Sequence, residues 1–220
     1  MFRSGTPLFL PMLKIYAVPI SLYCAKLRIV LRHKQLDWEE VPPPGGYGSD
    51  EYRQRVPAGN LPALEHDGLL IADSEAIAEY LNEEFPVPDM LPGNPGQRAH
   101  IRSLSRFHDT RLEPAVRALF PHIAAPDSEP DELNRLWSVL KLRLHQIDGL
   151  LPVAPRILTL GDCGLPITAT WIDALTHHFK FEPIINTTFQ NYLRQLQQHD
   201  AVSTELKDYR PRLNKWLASQ

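Results

Sequence analysis

Ser21 and Cys24 stand three residues apart at the start of an apolar pattern of helical spacing, and both residue types can take part in thiol chemistry. A Cys-x-x-Cys pair in this position would use the positive end of the helix to stabilise a thiolate. Serine replaces the first cysteine here, so dithiol chemistry within one chain is not expected. A serine hydroxyl can instead donate a hydrogen bond to the sulfur of a bound thiol. The alternative, which spacing alone favours, is that Ser21 only caps the helix.

One side chain at the start of a helix can supply much of the free energy that is needed to activate a thiol. A thiol of pKa about 8.5 is only a few per cent ionised at neutral pH. Lowering its pKa by ~2 units makes the thiolate the main species and requires roughly 2.7 kcal/mol. A charge-assisted hydrogen bond together with the helix N-terminus can supply much of that amount.

A proline at the entrance of a predicted strand is the second candidate. Pro62 cannot donate a ladder hydrogen bond, so it must lie at an edge or a bend of the sheet. A cis bond before it would turn the Leu61 backbone outward, where it could pair with a peptide ligand. The alternative is an ordinary trans proline that opens a strand, which the general rarity of cis bonds favours.

Asp73 and Ser74 form the third candidate, at the start of a helix that follows a predicted hairpin. Free backbone N–H groups at a helix N-terminus, together with a serine hydroxyl, can bind a carboxylate. The alternative is simple helix capping, which both residue types favour.

Metal and phosphate sites are not expected from the sequence. The nine histidines include the pair His177-His178, but no Cys-x-x-Cys or His-Glu-x-x-His motif accompanies them. The glycine-rich loop at 45–48 lacks the spacing of a phosphate-binding loop. Thr159 and Asp162 form a Thr-x-x-Asp capping box that should open a helix, and the adjacent Cys163 is interpreted as a small core residue.

The spacing of apolar residues predicts two units of different class. Residues 13–86 follow the order strand, helix, strand, helix, strand, strand, helix, with Asp67-Gly68 as the hairpin turn. Prolines and glycines cluster after this unit, and apolar faces of helical spacing continue from there to the C-terminus. The predicted boundaries are a disordered extension at 1–11, an α/β domain at 12–86, a linker at 87–96 and an all-helical domain at 97–220.

Composition excludes several classes of partner. The 220 residues carry a net charge of -3 with acids and bases mixed along the chain, which argues against a nucleic-acid surface or an anionic-membrane surface. No apolar run approaches the roughly 18 residues needed to span a bilayer. The N-terminal 11 residues do not have the pattern of a signal peptide. With only two cysteines, a reducing compartment is the simpler interpretation, and the predicted location is the cytoplasm.

From about residue 12 to residue 217, the sequence resembles the cytosolic glutathione transferases. Three segments carry the resemblance: KLRIVL at 26–31 in the first helix, NLPAL at 60–64, and LIADSEAIAEYL at 70–81. The resemblance implies a thioredoxin-like α/β domain of order βαβαββα followed by an all-α helical bundle. It is strongest to theta- and zeta-like members, or to a bacterial class with an N-terminal serine.

The same resemblance implies glutathione as the co-substrate, without a metal. The bond before Pro62 would then be cis, and Leu61 would pair with the cysteinyl backbone of glutathione. Asp73 and Ser74 would hold the γ-glutamyl carboxylate or amine. Ser21 matches the position of the catalytic serine.

Cys24 and Tyr16 are kept as reserve catalytic candidates because the match at the helix start is imperfect. Zeta members have adjacent serines followed by a cysteine, whereas Leu22 and Tyr23 follow Ser21 in this chain.

The resemblance also implies a site for a small hydrophobic electrophile between the domains, against the first bundle helix. Asp109 and Arg106 on that helix could reach glutathione. The implied activity is transfer of the glutathione thiol to the electrophile, as in detoxification, by a homodimer. Glutathione-dependent isomerisation and dehalogenation are alternatives, as is a non-catalytic interaction module, against which the intact set of candidate residues argues.

Overall fold

The computed structural model describes residues 12–125, 129–152 and 157–220, so the predicted extension at 1–11 lies outside the described residues. The first unit contains a four-stranded sheet and three helices. Its elements are β1 (Leu13–Tyr16), α1 (Leu22–His33), β2 (Trp38–Val41), α2 (Asp50–Arg55), β3 (Ala63–His66), β4 (Leu69–Ala72) and α3 (Ser74–Glu84). This is the predicted βαβαββα order, and the thioredoxin-like architecture is confirmed.

The sheet has the strand order β2-β1-β3-β4. Strands β1 and β2 are parallel because α1 crosses over between them, whereas β3 is antiparallel to both β1 and β4. The β3–β4 turn is the predicted Asp67-Gly68, with φ of 50° and 78°. Positive φ at both central residues fits the right-handed twist of the flanking strands, so this dipeptide fixes the register of the hairpin.

The second unit is helical, as predicted. Its helices are α4 (Pro95–Phe107), α5 (Glu113–Arg117), α6 (Pro130–Asp148), α7 (Leu165–Phe179), α8 (Thr187–Leu196) and α9 (Asp200–Leu217). A capping box between Asn94 and Gln97 starts α4 within the predicted linker, and a π-helical turn at His108–Leu112 joins α4 to α5. The exact domain boundaries stay predictions.

The capping box of Thr159 and Asp162 is present, but it opens a 3-10 turn at Leu160–Asp162, and α7 begins only at Leu165. Asp162 accepts hydrogen bonds from the Thr159 backbone N–H at 2.9 Å and from the Tyr192 hydroxyl at 2.5 Å. Cys163 is fully buried, which confirms its interpretation as a core residue. Among the described helices, none is both long and apolar enough to cross a bilayer.

The two units are joined by charges buried between α1 and α9. Glu205 on α9 is 0% exposed and binds two guanidinium groups of α1, Arg28 at 2.7 Å and Arg32 at 3.2 Å. Arg32 also reaches Asp208, which is far more exposed than Glu205. Buried ion pairs of this kind are costly to break, because removal of one member leaves the other charge desolvated.

We therefore expect Glu205→Ala to lower the free energy of unfolding by about 3–5 kcal/mol, since it leaves the buried Arg28 without its main carboxylate. Asp208→Ala is the matched control. It removes a surface pair with Arg32 and should cost about 0–1 kcal/mol. Urea unfolding of both variants measures the difference, and equal losses would show that Glu205 does not anchor α9.

Candidate active site

One row of the sheet brings the three sequence candidates to the same end. Tyr16 pairs with Ala63, and Ala63 pairs with Ala72 on its other side. The chain leaves β1 after Tyr16 toward Ser21, enters β3 from Leu61, and leaves β4 directly into Asp73-Ser74. Motifs that lie up to about 50 residues apart in sequence therefore meet at one edge of the sheet.

Ser21 lies immediately before α1 in an extended conformation, with φ of -64° and ψ of 124°. Its hydroxyl oxygen accepts a hydrogen bond from the Cys24 backbone N–H at 3.3 Å, so the predicted capping role is confirmed. The first turn of α1 contains no acidic side chain, and its positive end is not neutralised locally. Because the Ser21 oxygen acts as an acceptor in the cap, its proton can still be donated to a bound sulfur.

The two reserve candidates are placed differently. Cys24 is buried, and burial raises the pKa of its thiol against the opposing hydrogen bonds of Ser21 and the Val18 backbone. Tyr16 is also buried and donates its hydroxyl proton to Glu65 at 2.9 Å, and the pKa of Tyr16 is raised by burial and by this carboxylate. Neither group is prepared to act as an anion or as a free donor at neutral pH.

The peptide bond between Leu61 and Pro62 is cis, as the resemblance implies. Leu61 stands outside the β1–β3 ladder, and within the described chain its backbone has no hydrogen-bonding partner. The neighbouring Asn60 holds the Tyr52 hydroxyl through its carbonyl at 2.9 Å, while its buried side-chain Oδ1 has no partner among the described residues. This short segment thus presents unsatisfied polar groups of the kind that an extended peptide can pair with.

Asp73 adopts φ of 146°, a backbone conformation that residues other than glycine rarely occupy. In this position its carboxylate accepts from the backbone N–H groups of Glu75 and Ala76 at 2.9 and 3.0 Å. The Ser74 hydroxyl has no hydrogen-bonding partner within residues 12–125, 129–152 and 157–220. Capping by Asp73 therefore leaves the Ser74 hydroxyl as a donor for a ligand at the start of α3. Such backbone outliers commonly persist at ligand sites.

Asp109 lies in the π-helical turn and faces inward. Its carboxylate accepts from the buried Lys26 ammonium at 2.8 and 3.0 Å and lies 2.7 Å from His108 Nδ1. The Asp109 carbonyl also accepts the Tyr23 hydroxyl at 3.2 Å. Arg106, by contrast, is mostly exposed and only 4.0 Å from the Asp109 carboxylate. The roles of Asp109 and Arg106 in binding a substrate stay predictions.

Lys26 is a residue whose importance was missed from the sequence. It is 1% exposed and also binds Glu75, the residue after Ser74, at 2.8 Å. Burial alone would lower the pKa of Lys26, but the Asp109 and Glu75 carboxylates raise it above its ordinary value. The signal was a lysine with apolar residues one helical turn away on both sides, Leu22 and Val30. Through its hydrogen bonds to Glu75 and Asp109, the ammonium of Lys26 connects α1 to α3 and to the π-helical turn.

A groove of about 780 Å³ lies elsewhere, between α7, α8 and α9. It is lined by residues such as Ile172, Leu193 and Arg210 and contains none of the predicted site residues. The electrophile site between the domains stays a prediction. In the part of the chain that the structure describes, no group of three or more His, Cys, Asp or Glu side chains could hold a metal ion.

The contacts of Asp109 with Lys26 and His108 predict how the free energy of unfolding depends on pH in the acid range. Burial opposes ionisation, but the hydrogen bond with His108 and the charge of Lys26 lower the pKa of Asp109 from 3.8 to about 2. Because the pKa of Asp109 is lower in the folded than in the unfolded state, its charge stabilises the fold at any pH above the unfolded-state pKa, here by about 2 kcal/mol. This stabilisation is lost as the pH falls through the folded-state pKa. Asp109→Asn should therefore be less stable than wild type at neutral pH by about this amount.

The difference between wild type and Asp109→Asn should shrink as the pH falls from 3.8 toward about 2, because the wild-type carboxylate then loses its charge. Urea unfolding at a series of pH values measures it. A difference that is constant with pH would show that the charge of Asp109 is not what stabilises the fold.

Sequence comparisons with known proteins match part of the chain. Residues 15–95 match the family model of the glutathione S-transferase N-terminal domain. The rat maleylacetoacetate isomerase is 37% identical over 94 residues, which cover 40% of this chain and 44% of that protein. The Pseudomonas aeruginosa maleylacetoacetate isomerase is 30% identical over 131 residues, or 57% of this chain and 62% of the relative. The chain thus matches less than two thirds of the length of these relatives.

Solved structures match nearly the whole chain. A Bombyx mori glutathione transferase has a TM-score of 0.77 at 22% identity and covers 94% of this chain and 97% of its own. A bacterial maleyl pyruvate isomerase, described as a zeta-class glutathione S-transferase, has a TM-score of 0.72 at 20% identity, with coverages of 87% and 95%. Residues 15–95 are therefore similar to the N-terminal domain of the glutathione S-transferases, and the described residues as a whole have the fold of these proteins.

Proposed function

We propose that this protein is a glutathione transferase, which binds glutathione, activates its thiol and transfers it to a small hydrophobic electrophile. The observation that carries the proposal is the single sheet row of Tyr16, Ala63 and Ala72. It gathers a serine at a helix start, a free backbone segment and a free serine hydroxyl at a second helix start. A tripeptide such as glutathione has a matching group for each: a thiol for the first serine, an extended backbone for the free segment, and a carboxylate for the second serine.

In the proposed complex, the Leu61 backbone pairs with the cysteinyl residue of glutathione and Ser74 holds the γ-glutamyl carboxylate. These contacts direct the sulfur toward Ser21. The Ser21 hydroxyl donates to the sulfur, and the positive end of α1 stabilises the thiolate while the thiol proton passes to solvent. The sulfur then forms a bond to the electrophilic carbon, and the leaving group departs with the bonding electron pair.

A second candidate is glutathione-dependent isomerisation, which is favoured by the names of the rat and Pseudomonas relatives. The thiolate would add to a conjugated carbon–carbon double bond, rotation would follow about the resulting single bond, and expulsion of the thiolate would restore the double bond. Glutathione is regenerated in isomerisation and consumed in transfer. Titration of free thiol during turnover therefore separates the two activities.

The proposal includes a homodimer located in the cytoplasm. The chain carries nearly equal numbers of basic and acidic residues, and none of the described helices could span a membrane. Two-fold assembly is the arrangement that the resemblance implies.

Ser21→Ala tests the mechanism. Loss of the hydroxyl should raise the pKa of enzyme-bound glutathione toward ~8.5, its free-thiol value, and lower turnover at neutral pH by roughly one to two orders of magnitude. The free energy of unfolding should fall by only about 1 kcal/mol, the usual cost of a lost N-cap. Thiolate absorbance of the binary complex across pH gives the pKa, and turnover can be followed with an activated aryl halide.

Cys24→Ser is the matched control, because it alters a buried thiol one turn further along α1. It should leave the glutathione titration unchanged. If Cys24→Ser abolished activity while Ser21→Ala lost only stability, the nucleophile would be the protein's own cysteine and the proposed mechanism would be wrong.

Ser74→Ala tests the binding of the γ-glutamyl group. Removal of one hydrogen bond to a charged group should weaken glutathione binding by about 1.5–3 kcal/mol without unfolding the protein. Calorimetric titration measures the affinity. Ser203→Ala, at an exposed position in the first turn of α9, should bind glutathione as tightly as wild type. Equal affinity for Ser74→Ala and wild type would mean that Ser74 does not contact the ligand.

A further inference from the structure

The segment that leads into Ser21 is held by the C-terminal helix. Tyr209 on α9 is fully buried, and its hydroxyl donates to the Ile20 carbonyl oxygen at 2.7 Å. The same hydroxyl oxygen accepts from the Trp171 indole N–H on α7 at 2.7 Å. A continuous chain of hydrogen bonds therefore runs from α7 through α9 to the residue before the proposed catalytic serine.

These contacts fix one peptide plane. The carbonyl of Ile20 and the N–H of Ser21 belong to the same planar group. Tyr209 binds the carbonyl at one side of this plane, and the Ser21 N–H donates to the Val18 carbonyl at 3.2 Å on the other. With both polar atoms of the plane engaged, rotation of the plane is blocked and the backbone of Ser21 is held in the conformation that aims its hydroxyl.

A second link from α9 reaches the preceding residue. Arg28 donates to the Pro19 carbonyl at 3.1 Å, and its guanidinium is held by Glu205, one turn before Tyr209 on α9. Two successive carbonyls before Ser21 are thus bound by one helix, once directly and once through Arg28. Capping of α1 or packing of the α/β unit alone would not require this arrangement.

We propose that Tyr209 is a positioning residue for Ser21, which acts through the Ile20–Ser21 peptide group and is itself oriented by Trp171. This inference rests on the proposed function. The helical domain then contributes to thiol activation through α9, in addition to any contact that it makes with an electrophile. Loss of the Tyr209 hydroxyl should loosen the peptide plane and lengthen the hydrogen bond from Ser21 to the thiolate.

The test is Tyr209→Phe, which keeps the buried ring and removes only the hydroxyl. We expect the pKa of bound glutathione to rise by about 0.5 unit or more, which corresponds to an approximately threefold loss of thiolate stabilisation. Below neutral pH, kcat should fall by a similar factor, while the KM for glutathione stays within about twofold of wild type. Ser21→Ala should remove most of the additional effect of Tyr209→Phe when the two are combined, because Tyr209 acts through Ser21.

Tyr192→Phe is the matched control. It makes the same change at another buried tyrosine, whose hydroxyl binds Asp162 rather than the segment before Ser21. It should lower thermal stability without a change in the pKa of bound glutathione. An unchanged pKa in Tyr209→Phe, or an equal rise in both variants, would overturn the inference and leave Tyr209 with a structural role only.

Trp171→Phe is the variant to measure if Tyr209→Phe does not fold. It removes the donor that orients the Tyr209 hydroxyl and should raise the pKa of bound glutathione in the same direction, by less than Ser21→Ala does. No rise in that variant would also contradict the inference. A wild-type protein that shows no thiolate absorbance with glutathione would instead contradict the proposed function, so the two failures are distinguishable.

Discussion

A buried ammonium group organises the centre of this molecule. Lys26 is 1% exposed, and a charge removed from water to that extent must be neutralised by carboxylates at hydrogen-bonding distance. Glu75 and Asp109 supply them, both at 2.8 Å. Each carboxylate belongs to a different element, Glu75 to the start of α3 and Asp109 to the π-helical turn after α4. The requirement to neutralise one charge therefore draws together α1, α3 and the π-helical turn that follows α4.

Helix α1 is held in place by contacts at its start and on two of its sides. Its start is capped by Ser21, one side holds Lys26 in the network of carboxylates, and another side carries Arg28 into the buried pair with Glu205 on α9. A helix fixed on several sides can present its N-terminus in one orientation, which is what the stabilisation of a thiolate requires. The contact from Tyr209 adds the segment before the helix to this frame. In the proposal made above, the helical unit therefore contributes to the site through α9.

Much of the fold follows from local patterns in the sequence. The parallel β1–α1–β2 crossover, the hairpin at Asp67-Gly68 and the change to helical periodicity after the linker depend on short-range preferences that a sequence displays directly. The capping box at Thr159 was also visible, but the helix was expected to begin there. The structure places a 3-10 turn first, and Asp162 in this turn is also bound by the distant Tyr192 and is buried with it.

For the site, the sequence by itself determined which residue types are available: a serine at a helix start, a proline at a strand entrance, and an Asp-Ser pair at a second helix start. Each of these also fits a purely structural role, and local spacing cannot separate the two. The tertiary structure decided that they share one end of the sheet, that Leu61 has a free backbone, and that Asp109 turns inward to Lys26. These outcomes depend on the pairing of Tyr16 with Ala63 and on the burial of Lys26 with Asp109, which join residues about 50 and 80 positions apart that no local pattern connects.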